Sequence, residues 1–118
     1  PGWLKRLLTA RDRNPDLAMV GPAMNDGLVP QQVKADYRGT GKALRRFGVR
    51  RAHQYGKQLA VTESLAPSCI VFNPAVCRSI GLLRKDLDLA VSLTDYFARI
   101  KQAGYAVAVA LDAYVHCE

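Results

Sequence analysis

Leu93-Thr94-Asp95-Tyr96-Phe97-Ala98-Arg99-Ile100-Lys101-Gln102-Ala103-Gly104-Tyr105-Ala106-Val107-Ala108-Val109-Ala110-Leu111 reads as a helix running straight into a strand. Leu93, Tyr96, Phe97, Ile100 and Ala103 recur at the spacing of one helical face, with Thr94 and Asp95 at its start. Gly104 is the residue type that closes a helix by turning left-handed. Ala106 to Leu111 then forms the last strand. A helix feeding a strand through so short a connection is a unit of an α/β plan.

Outward from this stretch the punctuation is similar. Asn73-Pro74 starts a short helix that Gly81 ends, because asparagine caps the first turn and proline lacks the donor that would be orphaned there. Cys69 to Phe72 before it is a short apolar strand, Leu59 to Ser64 an edge strand, and Asp86 to Val91 an irregular connection. Nearer the start, Trp3 to Arg13 is an amphipathic helix stopped at Asn14-Pro15. Leu17 to Val20 is a strand buried on both faces and closed by Gly21-Pro22, and Asn25-Asp26-Gly27 is a turn.

The 118 residues are 49% hydrophobic and 23% charged, a globular balance that excludes disorder and coiled coil and bounds the chain to a single domain, residues 1–118. Pro1 and Glu118 both look like cut ends of something longer. No run approaches the roughly 20 apolar residues of a membrane span, so the chain reads as soluble. Cys69, Cys77 and Cys117 are odd in number and include no Cys-x-x-Cys pair, which speaks for a reducing compartment rather than a disulfide framework. Residues 31–58 form a basic arm: between Lys34 and Lys57 lie eight basic residues against Asp36 alone, so this stretch carries the entire net charge of +7. Glycines 39, 41, 48 and 56 break it into helical pieces. A solvated arm is its default reading, a surface for phosphate or anionic lipid the second, and nucleic acid the third.

The order of these pieces resembles the C-terminal, acceptor-side half of a GT-A-fold inverting glycosyltransferase, of the large family that includes rhamnosyltransferases and O-antigen or capsule glycosyltransferases. The resemblance rests on Asp16-Leu17-Ala18-Met19-Val20-Gly21-Pro22-Ala23-Met24-Asn25, on the apolar strand and helix from Ser68 to Leu83, and on Asp95 with Arg99, Ala103-Gly104-Tyr105 and the terminal Val115-His116. It implies a partial Rossmann-like α/β fold and transfer of a sugar from a nucleotide-sugar donor to the hydroxyl of a glycan or lipid-linked acceptor. It also implies a divalent cation, Mg²⁺ or Mn²⁺, most of whose ligands lie in a donor half outside this segment, so that the segment alone does not turn over. The setting implied is surface polysaccharide assembly, in the cytoplasm or at the inner membrane face.

The family's helix commonly opens Glu-Asp-x-Asp ahead of the arginine, and here Ser92 and Leu93 stand where the Glu and first Asp are expected. Asp95, at the second Asp, is therefore the candidate base, and Asp88 in the preceding loop the runner-up. Asp95 has an equally good structural reading, as a first-turn carboxylate paired with Arg99 at i, i+4. Asn25, Arg99, Arg45 and Arg46 are the substrate-binding candidates, and His116 a weak metal candidate whose alternative is a plain strand-end histidine. Cys69 and Cys77 read as small core residues and His53 as solvated. Two other functions compete: a non-catalytic module whose basic arm binds RNA or another polyanion, and a degenerate transferase domain.

Overall fold

The computed structural model describes residues 2–25, 31–34, 37, 41–81, 83, 84 and 86–116. Along the chain come α1 (Trp3–Arg13), β1 (Leu17–Met24), α2 (Lys42–Gln54), β2 (Leu59–Thr62), β3 (Val71–Phe72), α3 (Pro74–Ile80), α4 (Leu89–Gln102) and β4 (Ala106–Val115). The strands form one mixed sheet in the order β2-β4-β1-β3. The α/β class is therefore as the sequence implies.

β1 and β4 are the inner pair and run parallel, while β3 and β2 lie antiparallel at the two edges. Parallel inner strands are covered on both sides, which is why every residue of β1 is buried. One face packs Met19, Val107, Val109 and Leu65 against Leu93, Tyr96 and Ile100 of α4 and Val76 of α3. The other packs Val20, Ala110 and Ala113 against Leu7 of α1. A third cluster joins Ala23 and Tyr114, at the far ends of the inner strands, to Phe47 of α2.

The expected punctuation holds at several places. The Asn73 side chain accepts from the backbone N–H groups of Ala75 and Val76, with Pro74 beside it. Gly81 at φ 106° and Gly104 at φ 86° close α3 and α4 in a conformation only glycine adopts freely. Tyr105 N–H returns to the Ile100 carbonyl, completing the turn into β4.

Several boundaries differ from the sequence reading: β2 ends at Thr62 instead of Ser64 and β3 begins at Val71 instead of Cys69, and four further differences bear on the site. β1 does not stop at Gly21-Pro22 but runs on to Met24: Pro22 stays in register with Ala110, its carbonyl accepts from the side-chain amide of buried Gln31 at 3.0 Å, and the Gln31 backbone carbonyl accepts from Met24 N–H at 2.9 Å. Gln31 thus belongs to the sheet rather than to a free arm. The described part of the arm is one helix of 13 residues, with Gly48 inside it, instead of several pieces. α4 begins at Leu89, so Asp88 is its cap and Asp95 stands in its second turn. β4 continues past Leu111 to Val115, with Leu111, Asp112 and Ala113 bulged between the pairs Pro22–Ala110 and Ala23–Tyr114. Asp26 and Gly27 of the expected turn lie outside the described residues, as do Asp36, Arg38 and Cys117.

Candidate functional site

Because β1 and β4 are parallel and Met24 pairs with Val115, Asn25 and His116 leave the sheet as neighbours at the same end. Both are half-buried. The His116 imidazole is held by an aromatic cage. Tyr37 Oη bonds Tyr114 Oη at 2.6 Å and also bonds Nδ1 of His116. The Tyr37 ring lies 5.1 Å from Phe47, and Phe47 meets Tyr114 edge-on at 4.7 Å. With Nδ1 engaged, Nε2 is the only nitrogen left for a metal, and only in the tautomer whose Nδ1–H donates to Tyr37. One such nitrogen does not make a cation site. Among the described residues no three His, Cys, Asp or Glu side chains come close enough to hold a metal ion.

Asp88 and Asp95 lie on α4. The Asp88 carboxylate caps the helix, accepting from Val91 N–H at 3.0 Å, so its first role is structural. Ser92 is buried and donates to the Arg84 carbonyl at 2.7 Å. Asp95 is paired with Arg99, Nε to Oδ2 at 3.1 Å, and the Arg99 guanidinium sits 4.7 Å over the Tyr96 ring. The Asp95 charge also reaches Arg84, whose guanidinium is held above its ordinary pKa by its hydrogen bonds to Asp86 and, more weakly, by Asp95. Beneath them Tyr96 donates to the Gly81 carbonyl at 2.7 Å. Burial first, and Cys77 second, push its phenol up to about 12. Cys77 is a free thiol.

α2 turns Lys42, Arg45, Arg46, Val49 and Arg50 outward, while Phe47 and Arg51 point in. Arg45 lines a groove of about 510 Å³ between α1 and α2, floored by Asp112, Tyr114 and His116. Arg46 and Arg50 line a shallower hollow outside it with Tyr37. Buried Arg51 donates to the bulged Leu111 carbonyl at 3.0 Å and lies 4.3 Å over Tyr55. His53 is exposed, as its sequence surroundings suggest.

The fold thus brings Asn25, His116 and Arg45 to one end of the sheet and gathers Asp88, Asp95 and Arg99 on α4. Asp95 does not line the groove that holds Arg45 and His116. Sequence reasoning missed Tyr37, Tyr114 and Gln31. Tyr37 had a visible signal, an aromatic residue amid charge, whereas Gln31 had none. Neither a scan against protein-family models nor searches of the curated proteins and the solved structures finds a match.

Proposed function

We propose that this chain is the acceptor-side half of an inverting GT-A-fold glycosyltransferase, presenting a glycan or lipid-linked acceptor to a nucleotide-sugar held by a donor half. The observation that supports it best is the pair Asn25 and His116, leaving adjacent parallel strands at their C-terminal ends. In open α/β sheets ligands gather outside those ends. The Asn25 amide carries both donors and an acceptor, which suits sugar hydroxyls, and Arg45 beside His116 suits a phosphate.

In this reading the acceptor hydroxyl oxygen bonds to the anomeric carbon as the carbon–oxygen bond to the diphosphate breaks, with inversion. The hydroxyl proton passes to a carboxylate. Asp95 is the base, its side chain held in place by Arg99, and Asp88 would first have to release Val91 N–H. Most ligands of the divalent cation implied by such chemistry would lie in the donor half, with Nε2 of His116 the one nitrogen this end of the sheet could lend, and no step is routed through the cation. Outward Arg45, Arg46 and Arg50 would draw in an anionic acceptor or a leaflet, which suits a setting in the cytoplasm or at the inner membrane face. Among the described residues no helix is long and apolar enough to cross a membrane.

The test is release of nucleoside diphosphate from a panel of nucleotide-sugars by the whole protein that this reading requires. Asp95→Asn lowers it by about a hundredfold or more, the usual contribution of a positioned base. Undiminished release with Asp95→Asn, and loss with Asp88→Asn, moves the base to Asp88. The outward arginine stripe of α2 favours a second reading, a polyanion-binding module. Tight, salt-sensitive RNA binding that falls on Arg45→Ala and Arg46→Ala, with no nucleotide-sugar turnover, would replace the first reading by the second.

A further inference from the structure

Two sets of positive charge far apart in sequence meet in one groove. α1 sets Lys5, Arg6, Thr9 and Arg13 along one wall, Lys57 and Asp112 form the other, and the space between measures about 520 Å³. That is the size range of small-molecule sites. Arg6 and Arg13 are two helical turns apart, about 10 Å along the axis at 1.5 Å per residue.

Four features mark it as more than a solvated surface. None of Lys5, Arg6, Arg13 and Lys57 has an ion-pair partner among the described residues, while the described pairs of Arg11, Arg84, Arg99 and Lys101 lie elsewhere. Lys57 is the one described non-glycine residue with positive φ, at 60°, a conformation that costs free energy and is retained where the surroundings fix it. What fixes it is Asp112, the only carboxylate of the lining, whose Oδ2 accepts Lys57 N–H at 3.1 Å. Finally, Arg6 lies so close over Gly2 that a β-carbon there would stand 2.2 Å from its guanidinium. Behind the wall, Arg51 is 9% exposed, has no hydrogen-bond partner for its Nε among the described residues and faces the bulge that carries Asp112, adding a buried positive charge.

We propose that this groove binds an anion carrying two or more linked phosphoryl groups, gripped between Arg6, Arg13 and Lys57. Arginine forks match phosphate oxygens bidentately, Thr9 adds a hydroxyl, and the two-turn offset of Arg6 and Arg13 along α1 suits linked phosphoryl groups better than a single one. The assignment does not depend on the acceptor-side reading: Asn25, Asp95, Arg45 and His116 take no part in this lining, and of the proposed grip only Arg6 also borders the groove of Arg45 and His116.

Calorimetric titration of the chain with inorganic pyrophosphate at low salt tests it, with orthophosphate as the short anion. Pyrophosphate binds at least about tenfold more tightly than orthophosphate, and Arg13→Ala and Lys57→Gly each weaken it about tenfold, the loss of one charge-assisted contact. Lys57→Gly keeps the left-handed backbone and the N–H to Asp112, so an unchanged melting curve separates lost binding from lost fold. The double variant Arg46→Ala, Arg50→Ala, on the outer face of α2, leaves the affinity unchanged. Equal affinity for the two anions, equal weakening by the α2 variant, or no binding heat overturns the proposal. Co-sedimentation with vesicles containing anionic phospholipid identifies the source. Sedimentation lost on Lys57→Gly assigns the groove to a lipid headgroup, and pyrophosphate binding without it assigns a free ligand.

Discussion

β4 shows Val107 and Val109 to one side of the sheet and Ala108 and Ala110 to the other, and what covers each side follows from that difference. The valines meet Leu93, Tyr96 and Ile100 and close a dry core in which Tyr96 finds a carbonyl for its hydroxyl. The alanines leave α1 to anchor through Leu7, its single fully buried side chain, and open grooves lie along the helix. One side spends its surface on packing and the other keeps unpaired cations at a cavity wall. The two sides of the same strands are thus covered differently, one by a packed helix and the other by a helix bordered by cations without a described ion-pair partner.

Substitutions can break or sharpen this contrast. Ile100→Ala, on the dry side, costs about 2–5 kcal/mol in denaturant unfolding, the range for a large side chain lost from a core. Tyr96 gives a pH signature. Its folded pKa of about 12 lies above the value near 10 of an unfolded chain, so the stability it contributes is complete below pH 10 and is lost as pH rises toward 12. The loss amounts to at most about 2–3 kcal/mol, and Tyr96→Phe flattens that part of the stability curve. Asp88→Ala costs about 1 kcal/mol in thermal unfolding, whereas Asp88→Asn, which still caps, costs a few tenths. At the small end, Lys5→Ala and Arg13→Ala change stability by less than about 0.5 kcal/mol. A groove-wall variant as costly as Ile100→Ala would erase the contrast.

The dry side was largely readable in the sequence. Leu93, Tyr96 and Ile100 repeat at helical spacing, Asn73-Pro74 and Gly81 bound α3, and Gly104 marks the reversal into β4. Such features are local, and local chemistry decides them. The start of α4 was missed because Asp88 to Val91 offers no repeat of its own, and the capping aspartate was read as loop. That error moved Asp95 from the second turn into the first. The continuation of β1 through Pro22 brings in Gln31, whose bonds to Pro22 and Ala66 no periodicity announces. The grooved side was the least legible. Outside residues 34–57 the formal charges cancel, yet in space Asp12 pairs with Arg11 while Lys5, Arg6 and Arg13 turn to Lys57. Summed charge along a chain says nothing about which face a helix gives to which neighbour.

The bulge at Leu111, Asp112 and Ala113 divides β4 into two ladders, and the second contains only Tyr114 and Val115. So short a ladder is steadied from outside, by the Arg51 bond to Leu111 and by Phe47 and Tyr37 against Tyr114. His116 therefore takes its bearing from the basic helix as much as from the sheet. Phe47 of α2, Tyr37 and Tyr114 thus form one ring cluster that ends on the imidazole, so the register of the basic helix and the position of the strand's last side chain are fixed by the same packing.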